Sequence, residues 1–156
     1  MAAMDGVELV DVLFWLASAG AGPFWGAAIL FPKAELTKRI WHSPWLSLPW
    51  ALGFTILVLP RLSWWLSLFV NPSLSAQYLT EQFATTDNFI LLWLYILGFD
   101  FIVFQIIYKD CIRRDALAFE ITIWALVTAL CAPVGWFSYT MLKELAAPAP
   151  STEKVD

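Results

Sequence analysis

The chain has 156 residues, of which 60% are hydrophobic and 14% charged, with a formal net charge of −4. Ordinary soluble domains carry about 45–50% apolar and about 25% charged residues, and a domain of about 150 residues leaves roughly a third of its unfolded surface in water. A water-soluble globule is therefore excluded, lipid is the expected solvent, and the lack of a basic stripe argues against a nucleic-acid partner.

Asp5, Glu8 and Asp11 stand where a secretory signal would carry basic residues, so none is expected. The first apolar stretch, 10–31, is long enough at about 1.5 Å per residue to cross a hydrocarbon core of about 30 Å. Its Ala19-Gly20-Ala21-Gly22-Pro23 segment predicts a kink or break, and small residues there would admit a neighbouring helix or a flat ligand. The second stretch is 45–62, with Pro49 tolerated near its start and Pro60 marking its end. Residues 63–70 either prolong that helix or lie along the interface, and 71–88 reads as a loop with one amphipathic turn. The third and fourth stretches are 89–108 and 117–142. The expectation is an all-α integral membrane bundle of about four transmembrane helices over 1–145, with both termini on one side and a disordered tail at 146–156.

Four crossings would put Lys33, Lys38, Arg39, Lys109, Arg113 and Arg114 on one side, against Arg61, Lys143 and Lys154 among many carboxylates on the other. The positive-inside rule makes the former side cytoplasmic or, in a plastid, stromal. Trp41, Trp45, Trp64, Trp65 and Trp136 fall near span ends, where indoles favour the headgroup region. Trp15, Trp25, Trp50, Trp93 and Trp124 lie deeper, and serve either as packing or as the lining of a groove for a conjugated ligand. Cys111 in a loop and Cys131 deep in the fourth stretch read as free thiols, not a disulfide.

Asp100 falls near the bilayer centre, where aspartate costs about 2.5–3.5 kcal/mol on the mildest scales. Apart from Arg61 at the very end of the second stretch, no Lys, Arg or His lies within the spans to offset it, so a neutral Asp100 donating a hydrogen bond is the expected form. It is either interhelical glue or a general acid or anchor for a ligand oxygen. Gln105 and Tyr108 share nearly one face of the same helix, whereas Asp100 and Gln105 point about 140° apart. Gln105 is either interhelical or, as a hard oxygen donor, a ligand to a chlorophyll magnesium. His42, the one histidine, is either a surface residue or an axial pigment ligand at the membrane edge. It has no partners for a protein-held metal site.

Three blocks resemble the plant and algal family named "abscisic acid deficient four". They are Gly22-Pro23-Phe24-Trp25 with Phe31-Pro32-Lys33-Ala34-Glu35-Leu36-Thr37-Lys38-Arg39-Ile40, Asp100-Phe101 through Tyr108-Lys109-Asp110, and Cys131-Ala132-Pro133-Val134-Gly135. The resemblance implies a plastid membrane, a four-helix fold and a carotenoid context, with conversion of an epoxy-xanthophyll such as violaxanthin toward neoxanthin. It carries Asp100 and Asp110 across as candidate catalytic residues. A carotenoid is the ligand the resemblance implies; the residue reading adds chlorophyll as a second candidate ligand, with Trp25, Trp50, Trp93, Trp124, His42, Gln105 and Tyr108 as candidate contacts. The other functional class kept open is a non-catalytic pigment-binding subunit of a photosystem or light-harvesting assembly.

Overall fold

The computed structural model describes residues 6–146, with side chains from 11 to 145. The expected tail lies almost wholly outside them. The described residues form α1 Gly6–Leu30, α2 Glu35–His42, α3 Leu48–Val58, α4 Leu62–Val70, α5 Ala76–Phe83, α6 Thr86–Arg113, α7 Ala118–Leu130 and α8 Ala132–Ala146, with no strand among them. A 3-10 turn at Leu59–Arg61 joins α3 to α4, so the second apolar rod runs Leu48–Val70 and segment 63–70 prolongs it. With Asp11–Leu30 and Thr86–Arg113, it makes three helical stretches long and apolar enough to cross a bilayer.

Pro23 does not break α1. Ala21 and Ala28, on either side of it, are both buried in the core, so tertiary packing holds the two halves in one rod against the lost hydrogen bond. Nor do the glycines bring in a neighbour: a Cβ at Gly20, Gly22 or Gly26 would meet nothing within 4 Å.

The fourth stretch departs furthest from expectation. α7 ends at Leu130, Cys131 takes an extended backbone (φ −164°, ψ 98°), and α8 starts at once with Pro133 in its first turn, where a missing N–H costs nothing. On one straight helix residues 128 and 135 would be about 10 Å apart along the axis. Instead a Cβ at Gly135 would sit 2.6 Å from Thr128 Oγ1 and 3.0 Å from Thr128 Cα. α8 therefore folds back along α7. Tyr139 packs edge-on to Trp124 at 5.2 Å, and Lys143 Nζ lies 2.8 Å from Asp110 Oδ2, so α8 finishes at the end of the bundle where α7 began. The single span at 117–142 is thereby corrected to a helical hairpin, and α7, with 13 residues, reaches only about 20 Å.

The two chain ends, expected on one side, lie outside the described residues, but among those residues α1 starts and α8 finishes at opposite ends of the bundle. Trp93 Nε1 donates to Ser18 Oγ at 2.9 Å, which sets the start of α1 beside the start of α6. The end of α8 lies at the other end of α6. The core between α1, α2, α3 and α6 is aromatic: Trp41 is fully buried, stacked on Phe101 at 5.5 Å and edge-on to Phe104 at 4.6 Å. Trp41 is thus a core residue and not an interfacial one. Its position near a helix end concealed that α2 folds back over the bundle.

Candidate functional site

Asp100 stands midway along α6, half-buried, with no hydrogen bond or ion pair to another described residue. At 100° per residue it shares a face with Ile107 and Cys111, both fully buried. Ile106 and Trp136 line one cavity, and the Tyr139–Lys143 turn meets Asp110, so α8 runs parallel to α6 in register 136 with 106. Counting back about 1.5 Å per residue, the turn at Cys131 falls at about the level of Asp100. The hairpin covers the α6 face beyond Asp100 and stops there.

The other polar candidates of α6 are spoken for. Gln105, 7% exposed, donates its amide to Ser43 O at 2.6 Å. Tyr108, fully buried, donates to Pro32 O at 2.6 Å. These two bonds fasten the α1–α3 connection to α6. His42 is exposed in the last turn of α2, its Nδ1 2.8 Å from Lys38 O, with Tyr108 edge-on at 6.0 Å. Among the described residues no group of three or more His, Cys, Asp or Glu could hold a metal ion.

The four candidate tryptophans separate. Trp25 packs between Trp41, Phe101 and Phe104 at 5.1–5.5 Å. Trp93 stacks on Phe89, and Trp124 packs on Tyr139. Only Trp50 borders a ligand-sized space: a mostly apolar groove of about 410 Å³ between α1 and α3, walled by Leu13, Ala17, Gly20, Trp50 and Gly53 and floored by Leu94. Trp50 is held there by stacking on Phe101 at 4.3 Å and donating to Ala17 O at 3.2 Å. The open space beside Gly20 was foreshadowed by the small residues of the first apolar stretch. Leu94 lies on a face of α6 about 120° from Asp100, so the groove and the carboxyl are separate places.

Asp110 is not beside Asp100 either. Its carboxylate accepts from Arg113 and Tyr139 and pairs with Lys143, its side chain only 11% exposed. This ties α8 to the end of α6. Next to it Arg114 pairs with Glu120 and lies over the Tyr139 ring at 5.8 Å. Across the same end of the bundle Lys33 bonds Asp115 at 2.8 Å. That hydrogen bond, with the lysine charge behind it, holds the Asp115 carboxyl below its ordinary value. Sequence reasoning singled out neither Tyr139 nor Lys143 for this cluster. Their i, i+4 spacing on an otherwise apolar helix was the available signal.

The model of the family described as "ABA DEFICIENT 4-like" matches residues 12–139, from α1 into α8. It is the family that the three sequence blocks resemble. No curated protein matches the chain, and no solved structure does.

Proposed function

Because the chain belongs to the ABA DEFICIENT 4-like family, which implies a plastid membrane protein related to xanthophylls and neoxanthin, we propose that it takes an epoxy-xanthophyll from the bilayer and isomerises it toward neoxanthin, with Asp100 as the proton carrier. The observation that supports this reading is an unpartnered carboxyl midway along a bilayer-length helix, where hydrocarbon favours its neutral, proton-donating form. The Asp100 carboxyl gives its proton to the epoxide oxygen as one C–O bond breaks, and the resulting carboxylate takes a proton from the neighbouring carbon. The acid is restored and no electrons are gained or lost.

Basic loops around Lys33–Arg39 and Lys109–Arg114 face the stroma in this reading, with the end of α8 beside them and the start of α1 lumenal. The test is reconstitution of the full chain in liposomes with violaxanthin. Asp100→Asn should retain bound xanthophyll and lose conversion by about 10²-fold or more; an undiminished rate removes Asp100 from the chemistry.

The groove at Trp50 supports a second reading, in which the chain holds a carotenoid or chlorophyll without converting it, as a subunit of a photosystem or antenna assembly. Gly20→Phe would fill that groove, since nothing stands within 4 Å of Gly20. Loss of copurifying pigment in this variant, with comigration of the native chain and a photosystem, would favour the second reading. Continued turnover would favour the first.

A further inference from the structure

The rim where α8 meets α6 carries a feature that the xanthophyll reading leaves unused. A cavity of about 430 Å³ opens there, with Lys109, Arg113 and Lys143 around its charged part and Trp136, Thr140 and Ile106 on its membrane side. Asp110 is the one carboxylate in it, and both its oxygens are engaged by Arg113, Tyr139 and Lys143. The carboxylate thus works as a bracket that turns cations toward the opening. Three cations against one anion leave a surplus of two positive charges. Lys109 makes no ion pair among the described residues, and Lys143 and Arg113 are 54% and 77% exposed with donors to spare.

The apolar part fixes what kind of anion fits. Ile106, at 50% exposed, and Ile102, at 47% and one turn further along the same face of α6, continue the wall toward the bilayer interior, and Trp136 is 41% exposed at the transition, as an interfacial indole would be. A soluble oxyanion has no use for that wall, whereas the acyl chains of a lipid do. We propose that this cavity is a binding site for the anionic headgroup, phosphate or sulfonate, of a membrane lipid whose chains lie along Ile106 and Ile102. Basic recesses between membrane helices at the positively biased face suit such headgroups. A lipid seated there would also bridge α6 and α8, fastening the hairpin.

The test uses the full chain in neutral detergent and native mass spectrometry with short-chain phosphatidylglycerol as probe. One retained lipid per chain is expected, and Lys109→Gln with Arg113→Gln should weaken retention by about 30-fold. Lys109→Gln alone, which disturbs no ion pair, should weaken it by about 5-fold. The comparison variant Lys38→Gln with Arg39→Gln, at the basic edge of α2, should leave retention unchanged. An equal loss there would reduce the effect to diffuse surface charge and overturn the proposal. Inorganic phosphate should displace the lipid only at far higher concentration; equal potency would assign the cavity to a soluble oxyanion and overturn the lipid assignment. Phosphatidylcholine retained as well as phosphatidylglycerol would overturn it too.

Discussion

Replacing Gly135 with alanine separates the hairpin from a straight fourth helix by the sign of its effect. On one continuous span, alanine would be the better helix former and the change would stabilise by about 0.8–1.0 kcal/mol. In the hairpin, the added methyl carbon would stand 2.6 Å from Thr128 Oγ1 and 3.0 Å from Thr128 Cα. Reaching an ordinary contact of 3.4 Å requires a movement of about 0.8 Å at the hydroxyl and about 0.4 Å at the backbone. The hydroxyl can be relieved by a rotamer change, but the Cα cannot, so the two helices must separate. Overpacking of this kind costs about 1–3 kcal/mol. Thr128→Gly in the same chain removes Oγ1 and Cβ and should recover part of the loss, while Thr128→Ala alone should be nearly neutral, because Oγ1 is buried without a partner. Equilibrium unfolding in mixed micelles reads all four corners of the cycle. A stabilised Gly135→Ala protein, or additivity with Thr128→Gly, would refute the fold-back of α8.

Asp110→Asn should cost about 1.5–3 kcal/mol in the same assay, because the neutral amide weakens the bonds from Arg113, Tyr139 and Lys143 at a site only 11% exposed. Tyr108→Phe should cost about 1–3 kcal/mol, since it strands the buried Pro32 carbonyl, and the change should free the 31–34 segment to faster hydrogen exchange. The Lys33–Asp115 bond should respond to acid: Asp115 is held below its ordinary value of 3.8, so its contribution is present above about pH 4 and lost as pH falls through the lowered value. Protease cutting at the α6–α7 loop should therefore rise only below pH 4, and Lys33→Met should abolish that dependence.

The three long rods were legible because apolar runs of bilayer length have no other home, and the basic loops were legible because charge sorting is a sum over many residues. The hairpin was hidden in a composition that a straight span shares. Its one local sign was Pro133, and proline alone does not decide: Pro23 lies within an unbroken α1 while Pro133 opens a new helix. What differs is tertiary support, Ala21 and Ala28 in the core on one hand and Gly135 against Thr128 on the other. Among the site residues, the 140° divergence of Asp100 from Gln105 followed from helix geometry alone. That Trp50 borders a groove while Trp25 is enclosed by Trp41, Phe101 and Phe104 depends on where α2 and α3 fall, which apolar periodicity does not specify. Trp41 shows the same limit, since a position near a helix end does not reveal that the helix folds inward.

The level at which the hairpin turns bears on how a ligand would reach Asp100. Had 117–142 crossed the bilayer as one helix, its polar groups could have met Asp100 and made it ordinary interhelical glue. Instead the chain reverses near that depth, and Cys131 at the reversal is exposed whereas Cys111 is buried. An exposed position accepts a larger side chain without strain in the core, so Cys131→Trp should unfold like the native chain while placing an indole over the lipid-side approach to Asp100. Cys131→Ser removes nothing that packs and serves as its partner. If xanthophyll arrives from the bilayer past the hairpin tip, Cys131→Trp raises the substrate concentration needed for half-maximal conversion several-fold, and Cys131→Ser leaves it alone. If it arrives through the groove at Trp50, about 120° around α6, both variants behave alike and Gly20→Phe carries the defect. Equal behaviour of the two Cys131 variants would therefore rule out an approach past the hairpin tip.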